Sequence, residues 1–406
     1  MRITGYNRTY ASHLLHNWGT ERVKIVDGER VRVVLGIPRH KKQRKPRSRV
    51  YDRAVIEILE KIWAIADGLC GKRLKAFIHT ALPSLERYRE ISFPDPALRT
   101  KLLSVSPATI DRLLAPTRKR FWDRARSRTK PGTLLKHHIP IRTFADWNET
   151  SPGFLEIDLV AHDGGSGYGD FLQTLDATDI ATGWTEPRAL RSKARIHVVN
   201  ALEDIRRALP FPLLGIDSDN GAEFINDHLF RVCTALHITF TRSRPYRKND
   251  SCFVEQKNYS IVRRAAGYYR YDTDKQLEML TALYAQLRLY TNYFQPAMKL
   301  VSKTRQGSSV HKTYDEPQTP LERVLLLDSV STQDKARLSQ QFNDLNPAQL
   351  KRTIAHLQQQ LFLSHTPLPQ RPANGHELPV HHPWRKIKSK SAPARHTKTV
   401  STSNKD

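Results

Sequence analysis

The first third of the chain places its apolar residues at helical spacing, apart from one short alternating stretch. Residues 7–17 predict a short helix. Residues 23–35 alternate apolar and polar side chains around the dipeptide Asp27-Gly28, which favours a tight hairpin turn. Helical spacing returns over residues 52–115. The pattern therefore predicts a small β hairpin followed by an all-α region.

Two short helices separated by a tight turn are expected at the end of this region, after an interruption at Pro83. The first covers about residues 97–103. In the second, Ser106 can cap the helix N-terminus and Pro107 suits the first turn, where its missing N–H is not needed. This corner is typical of helix-turn-helix DNA-binding motifs, but helical bundles contain it too. Both DNA recognition by residues 107–115 and plain bundle packing therefore stay open.

From residue 154 onward the helical spacing gives way to alternation. Three strands come first, and strands and helices then follow one another in turn, which predicts a mixed α/β sheet with flanking helices. The predicted strands cover residues 154–162, 170–180, 183–188, 213–217 and 237–241, and the predicted helices cover residues 193–209, 222–236 and 253–265.

Beyond the sheet the pattern becomes helical again and then loses its apolar residues. A helix is predicted over residues 275–295, and residues 299–315 predict a small β ribbon. The dipeptide Asn346-Pro347 is typical of a helix start, and that helix should reach about residue 362. Residues 366–406 are rich in proline and basic residues and poor in apolar ones, so we expect a disordered basic tail.

These shifts in pattern predict six segments. The segments are a short helix with hairpin and basic linker over 1–50, a helix-turn-helix-type helical region over 51–130, a connector over 131–150, a mixed α/β core over 151–275, C-terminal helices with a small β ribbon over 276–365, and the basic tail over 366–406.

The charge balance is strongly basic. The chain has 66 Lys and Arg against 40 Asp and Glu, a formal net charge of +26. Such a surplus favours a polyanionic partner, because each neutralised phosphate releases condensed counterions. Ordinary basicity and binding to a ribosome are the alternative interpretations. Residues 151–190 differ from the rest, with seven acids and one base, and this acidic island is where bound cations would be expected.

Several classes of protein are not expected from the sequence. The three cysteines are widely spaced and form no C-x-x-C pair, which argues against a disulfide framework or a zinc finger and fits a reducing cytoplasm. No run of 18 apolar residues occurs, so membrane insertion is not expected. The chain also lacks the glycine-rich lysine motif that cradles nucleotide phosphates, so we expect no nucleotide cofactor.

Three acids lie where predicted elements can bring them together. Asp158 lies inside the first core strand, and its side chain points to the opposite face from those of its neighbours. Asp219 follows the fourth strand. Glu255 lies in the first turn of the helix predicted over residues 253–265. Clustered carboxylates repel one another unless cations or protons neutralise them, so their convergence would favour a metal site.

The segments EIDLVAH, IDSDNGAEF and RPYRKNDSCFVEQKN together resemble the DDE core of retroviral-type integrases and bacterial insertion-sequence transposases, over roughly residues 150–275. The resemblance implies that residues 151–275 are an integrase catalytic core with a ribonuclease H-like fold. It also implies that Asp158, Asp219 and Glu255 are the catalytic, metal-binding triad, with two Mg²⁺ or Mn²⁺ ions as cofactors. The 35 residues between Asp219 and Glu255 fit the family pattern.

Other polar residues near the triad have competing interpretations. Asp217 shares a strand face with Asp219, but the family motif places the metal ligand directly before Asn-Gly, which selects Asp219 and leaves Asp217 a hydrogen bond at the strand end. We expect Asp163 and Asp176 to be solvated at turns and strand edges. His162 could orient a water or a phosphate, but a structural role is favoured.

The resemblance implies a transposase that cleaves mobile-element DNA at its 3′ ends and joins those ends to target DNA. Its partners would be double-stranded DNA, both terminal inverted repeats and target, and it would act as a nucleoid-associated homo-oligomer because two ends must be paired. A ribonuclease H-like nuclease that cuts without joining and a non-catalytic DNA-binding regulator derived from a transposase remain as alternatives. The start of the chain resembles only the second helix of an N-terminal helix-turn-helix, so we expect either a truncated N-terminus or a misassigned start codon.

DNA contacts are expected from basic and polar residues around Glu255 and at the end of the helix-turn-helix region, although a solvated loop would have the same composition. On the helix that carries Glu255, α-helical geometry turns Asn258 to the same side and Lys257 away from it. The candidate DNA contacts are Arg242, Arg244, Arg247, Lys248, Asn258, Arg263, Arg112, Arg118, Lys119 and Arg120.

Overall fold

The computed structural model describes residues 8–34, 50–121, 141–142, 151–218, 231, 233–243, 254, 257–306 and 309–367. The chain divides into two compact units, residues 1–57 and 58–406. The predictions for the basic linker, for most of the helix over 222–236 and for nearly all of the C-terminal tail lie outside the described residues.

The first unit contains a helix and a hairpin. Helix α1 (Arg8–His16) precedes strands β1 (Glu21–Val26) and β2 (Glu29–Val34), which pair in antiparallel fashion. The turn residues Asp27 and Gly28 both adopt positive φ, at 49° and 88°, as a two-residue hairpin turn of this class requires. The hairpin prediction is therefore confirmed.

Four helices follow, and they correct one expectation. They are α2 (Arg53–Ile65), α3 (Gly71–Arg87), α4 (Pro96–Ser104) and α5 (Pro107–Phe121). The expectation that Pro83 interrupts the helical region is wrong, because Pro83 lies inside α3. Its neighbours Leu82 and Leu85 are buried while Pro83 itself is exposed. The backbone carbonyl that loses its helical partner therefore faces the side on which water can hydrate it.

The two-helix corner of α4 and α5 is fixed against α3 by hydrogen bonds. Ser106 caps α5 through an Oγ that accepts from the Thr109 backbone N–H at 3.3 Å, as expected. Lys75 of α3 donates to the carbonyl oxygens at the end of α4, including that of Val105 at 3.0 Å. Asp111 of α5 accepts from the Gly71 N–H at 2.7 Å. The helices predicted here are present, and α3 supplies the bundle packing.

A six-stranded mixed sheet forms the centre of the second unit. The antiparallel strands β4, β5 and β6 lie on one side of it, and β7, β8 and β3 extend it in parallel from β4 in the order β3-β8-β7-β4-β5-β6. The mixed sheet with flanking helices is the fold class that the sequence pattern predicted. The strands are β3 (Ile141–Arg142), β4 (Phe154–Ala161), β5 (Gln173–Asp179), β6 (Thr185–Leu190), β7 (Gly215–Ser218) and β8 (Thr239–Ser243), and α6 (Arg195–Ala208) connects β6 to β7.

The elements after β8 differ from the expectation in two ways. The predicted helix contains a π-helical segment, Asn258–Arg263, that continues into Arg264–Ala266, and we call the two together α7. Two helices that the pattern did not predict, α9 and α10, precede the last one. The remaining elements are α8 (Asp274–Phe294), β9 (Leu300–Gln306), β10 (Ser309–Tyr314), α9 (Pro320–Leu326), α10 (Thr332–Asn343) and α11 (Pro347–Leu363).

Helix α8 is attached to the sheet through buried polar groups. Arg288 forms two-pronged hydrogen bonds with the carboxylate of Glu186 on β6, at 2.8 to 3.0 Å. Asn292 completes the edge of β6 by bonding both the N–H and the C=O of Thr185, each at 2.9 Å. Because Glu186, Thr185 and Asn292 are fully buried, these bonds replace water that the groups lost on folding.

The helices before the sheet contact those after it. Arg73 of α3 donates to the Pro296 carbonyl, and Thr80 of the same helix donates to Glu322 on α9 at 2.7 Å. Asp67, between α2 and α3, pairs with both Arg264 and Lys351. Within the described part of the chain, no helix is both long and apolar enough to cross a membrane.

Candidate functional site

One face of the central strands carries a row of acids. Asp158 of β4 is the register partner of Asp176 on β5, and Glu156 is the register partner of Asp217 on β7. Residues directly paired across strands, and residues two apart along one strand, project from the same face of a sheet. The four carboxyl groups therefore lie on a common face at the middle of the sheet.

Asp158 is held by two hydrogen bonds. Its Oδ1 accepts from the Leu159 backbone N–H at 2.8 Å, and its Oδ2 accepts from Nδ2 of Asn258 on α7 at 2.6 Å. The side chain of Asp158 is half-buried. Helix α7 thus fixes the orientation of this carboxylate, and Asn258, which the sequence suggested as a DNA contact, lies directly against the first acid of the predicted triad.

Glu156 attaches the segment that leads into α7. Its Oε2 accepts from the Val254 backbone N–H at 2.9 Å, and the Glu156 side chain is completely buried. Val254 immediately precedes Glu255 in the chain. Glu255 itself lies outside the described residues, as does Asp219. Strand β7 ends at Ser218, whose register partner is Ile157, the residue before Asp158.

Asp217, the alternative to Asp219, has a structural hydrogen bond. Its Oδ1 accepts from the Thr241 hydroxyl on β8 at 2.6 Å, and its side chain is buried. This is the strand-end role that the alternative interpretation gave it. Asp163 fulfils the expected turn role, since its Oδ1 accepts from the Gly165 N–H at 2.9 Å.

The expectation that Asp176 is a solvated edge residue is wrong. Strand β5 lies between β4 and β6, and Asp176 is 0% exposed. Neither of its carboxylate oxygens has a hydrogen-bond partner among the described residues. Burial raises the pKa of Asp176 to about 7, with Lys257 opposing the rise and Asp158 adding to it.

The Lys257 side chain is directed towards the sheet. Its Nζ donates to the Gly183 carbonyl at 3.2 Å. Burial lowers the pKa of the Lys257 ammonium to about 8, and the neighbouring Asp176 acts in the opposite direction. That Lys257 turns away from Glu255 stays a prediction, because Glu255 lies outside the described residues.

His162 is a buried structural residue. Its Nε2 is 2.7 Å from the Thr174 hydroxyl, which is in turn 2.6 Å from the Tyr284 hydroxyl. Burial, followed by the nearby positive charge of Arg263, lowers the pKa of His162 to about 3. The ring is therefore neutral at physiological pH and links β4, β5 and α8.

The suggested DNA contacts fall into three groups. Arg112 and Lys119 are exposed on α5, whereas Arg118 is bonded to Asp111 and to the Leu69 carbonyl at 2.6 and 3.0 Å. Arg263 is half-buried, with its guanidinium 4.9 Å from the centre of the Tyr268 ring, and burial lowers its pKa. The remaining side chains lie outside the described residues, namely those of Arg120, Arg242, Arg244, Arg247 and Lys248.

The chemistry of the face suits a hard cation. Carboxylate oxygens are the ligands that Mg²⁺ and Mn²⁺ prefer, and the Asp158 and Asp176 carboxylates oppose each other here. Within the described residues, no group of three or more His, Cys, Asp or Glu is arranged to hold a metal. Two of the three acids of the predicted triad lie outside that part of the chain.

Sequence reasoning missed Glu156 and Asp176 as members of this face. Glu156 has the same strand parity as Asp158, which was a usable signal. Asp176 could be placed only by knowing the register between β4 and β5. That register depends on the conformation of the glycine-rich turn between them, which the pattern of apolar residues does not specify.

Comparison with known proteins identifies a relative of this chain but no matching family model. No family model matches the chain. Over 273 residues, which are 67% of this chain and 78% of the relative, it is 45% identical to "Uncharacterized protein y4rM" of Sinorhizobium fredii (strain NBRC 101917 / NGR234). The chain belongs to the y4rM family. The name of that relative states no activity, so membership of the family does not identify a reaction.

Among solved structures, similarity is found to retroviral integrase cores. The catalytic core domain of BIV integrase is 19% identical, with 42% of this chain and 91% of that chain covered and a TM-score of 0.29. The HTLV-2 integrase catalytic core domain in complex with magnesium is 17% identical, with 36% and 90% covered and a TM-score of 0.27. At TM-scores this low, the description of the fold rests on the strand order and directions of this chain itself.

Proposed function

We propose that the chain is a DNA transposase of the integrase type, which cleaves 3′ ends of mobile-element DNA and joins them to target DNA. Its catalytic acids would be Asp158, Asp219 and Glu255, with two Mg²⁺ or Mn²⁺ ions. The segments that resemble retroviral-type integrases suggest this reaction and these ions.

One observation carries the proposal: the residues adjoining the two other acids converge on Asp158. Ser218, which precedes Asp219, ends β7 as the register partner of Ile157. Val254, which precedes Glu255, donates its N–H to Glu156. Asn258 donates to the Asp158 carboxylate itself. Consecutive Cα atoms are about 3.8 Å apart, so covalent continuity supports a common site for the three acids.

The reaction would consist of two phosphoryl transfers. In the first, water attacks a phosphodiester at the end of the element, one P–O bond forms while another breaks, and a free 3′-hydroxyl is released. In the second, that hydroxyl attacks a target phosphodiester, and a target 3′-hydroxyl leaves. Bound divalent ions would supply activation of the attacking oxygen and stabilisation of the leaving oxygen. Each broken P–O bond in the joining step is replaced by a new one, so no nucleotide is consumed.

The residues of this chain would orient the catalytic carboxylates and neutralise the charge of the DNA backbone. Asn258 and the Leu159 N–H hold the Asp158 carboxylate in one orientation. The chain has 66 basic residues against 40 acidic ones, and this excess of positive charge suits a long contact with DNA backbones. The exposed Arg112 and Lys119 on α5 are proposed contacts with the terminal inverted repeats. Pairing of two ends requires at least a homodimer on DNA.

A strand-transfer assay tests the proposal. Purified full chain is incubated with Mg²⁺ or Mn²⁺, labelled DNA from the flanks of its gene and a supercoiled plasmid. Label should become joined to the plasmid, and Asp219→Asn and Glu255→Gln should each abolish joining. Asp170→Asn, which removes one exposed acid outside the site, is the matched control and should join like the unchanged chain.

The other outcomes count for the alternatives. Metal-dependent nicking without joining would favour a ribonuclease H-like nuclease. DNA binding without cleavage in either metal would favour a DNA-binding regulator. Joining that survives in Asp219→Asn would remove the proposed triad.

A further inference from the structure

The carboxylates of Asp158 and Asp176 lie opposite each other near the centre of the sheet. Asp158 and Asp176 are register partners in the antiparallel pair β4 and β5. Directly opposite residues on one face have Cβ atoms about 4.5–5.5 Å apart, and like charges at such positions destabilise a sheet. An arrangement of this kind requires a positive charge or a proton between the two groups.

The surroundings of Asp176 favour a cation that binds through both its oxygens. The side chain is 0% exposed, and within the described part of the chain neither oxygen accepts a hydrogen bond. A buried polar group left unbonded is costly, so it calls for a ligand. Lys257 is the cationic neighbour, but its Nζ is bonded to the Gly183 carbonyl and not to Asp176.

We propose that Asp176 is an additional acidic ligand of the divalent-cation site, supplied by β5 and sharing one cation with Asp158. The inference rests on the proposed function, and it adds to the three acids implied by the sequence motifs a fourth that those motifs do not contain. Hard divalent cations bind two carboxylates readily and keep water in their remaining positions. Lys257 then balances the excess negative charge of the site from the side of α7.

The alternative is that Asp176 serves only as a counter-charge for Lys257. Removal of the Asp176 charge would then affect the packing of α7 on the sheet and leave cation binding unchanged. Replacement of Lys257 also distinguishes a role of Asp176 as cation ligand from a role as counter-charge. If Asp176 is a ligand, Lys257→Met removes a competing positive charge, and Mn²⁺ should bind at least as tightly as to the unchanged chain.

Mn²⁺ binding to the full chain, measured by electron paramagnetic resonance without DNA, tests the proposal independently of activity. We expect Asp176→Asn to weaken Mn²⁺ binding about tenfold or more, and Asp158→Asn to do the same. Asp170→Asn, matched in charge but outside the site, should bind Mn²⁺ like the unchanged chain. Circular dichroism establishes that each variant is folded.

A second measurement covers a variant that is folded but less stable. Saturating Mn²⁺ should raise the unfolding midpoint of the unchanged chain, since a ligand that binds only the folded state stabilises it, and the rise should be much smaller for Asp176→Asn. Equal Mn²⁺ affinity in Asp176→Asn and the unchanged chain would overturn the proposal. The proposed transposase would still stand if the unchanged chain joined labelled ends, so the two failures are distinguishable.

Discussion

At the scale of single residues, His162 should make the stability of the fold depend on pH. It is 0% exposed, and burial lowers its pKa to about 3, against an ordinary value of 6.5. Between these two values the unfolded chain binds a proton that the folded chain excludes, so folding stability falls as the pH drops below about 6.5. Each pH unit in that window corresponds to about 1.4 kcal/mol.

His162→Gln should therefore reduce the acid sensitivity of the fold. Gln cannot titrate, yet it can still reach the Thr174 hydroxyl that His162 contacts. Urea unfolding at pH 7 and pH 5 should give a loss of stability about 2 kcal/mol smaller in the variant than in the unchanged chain. His79→Gln, at an exposed position of α3, is the control. The same pH dependence in His162→Gln and the unchanged chain would rule out His162 as the sensor.

Glu156 gives a second prediction at this scale, on the geometry of the proposed active site. Its Oε2 accepts from the Val254 N–H, next to Glu255. Glu156→Gln keeps an oxygen acceptor, whereas Glu156→Ala leaves a buried N–H unbonded, which costs about 1–3 kcal/mol. In the strand-transfer assay, Ala should reduce joining much more than Gln. Equal losses in the two variants would mean that the Glu156 charge matters rather than its contact with Val254.

At the scale of elements, the two sides of α5 separate DNA contact from packing. Arg112 and Lys119 are exposed and seven residues apart, about two helical turns, so they share a face. Arg118 instead bonds Asp111 and the Leu69 carbonyl. Arg112→Ala and Lys119→Ala should each weaken binding of end DNA and reduce its salt dependence, by a slope of about 1 if one phosphate contact is lost.

Arg118→Ala should behave differently, because it removes bonds inside the helical region. We expect a lower unfolding midpoint and an unchanged salt slope for the DNA that still binds. Fluorescence anisotropy at several salt concentrations measures the slopes. If Arg112→Ala and Lys119→Ala left them unchanged, the α4–α5 corner would be a packing corner only, the interpretation that the sequence left open.

Elements were predictable from the sequence where their own residues determine them. The hairpin turn at Asp27-Gly28 and the Ser106 cap follow from local conformational and hydrogen-bonding preferences, and both are present. Pro83 lies inside α3 beside the buried Leu82 and Leu85, so the local preference of proline gave the wrong result. The π-helical segment of α7 was not predicted either.

At the scale of the whole molecule, the candidate site was predictable only in part, because it is assembled by register. Strand alternation placed Asp158 on its face, and the resemblance to integrases selected its partners. The opposition of Asp158 and Asp176 depends on how β5 aligns with β4, and a shift of one residue would turn Asp176 to the other face. The alternation of apolar and polar residues along β5 is the same in both registers, so the sequence pattern cannot distinguish one register from the other.

The whole molecule also depends on Asp67, which connects the helices before the sheet to those after it. Its carboxylate is 2.7 Å from Arg264 at the end of α7 and 2.6 Å from Lys351 on α11. Asp67 has a positive φ of 60°, a conformation that Asn also tolerates, so Asp67→Asn removes the charge without adding backbone strain.

Asp67→Asn should therefore test the ion pairs alone. All three side chains are partly exposed, so the loss should be modest, about 1 kcal/mol of unfolding free energy for the two pairs. High salt screens such pairs, and the difference from the unchanged chain should shrink as salt rises. Because Arg264 lies on α7, the helix whose Asn258 holds Asp158, joining should also decline at low salt. A stability loss that persisted in high salt would assign the role of Asp67 to its hydrogen-bond geometry instead of its charge.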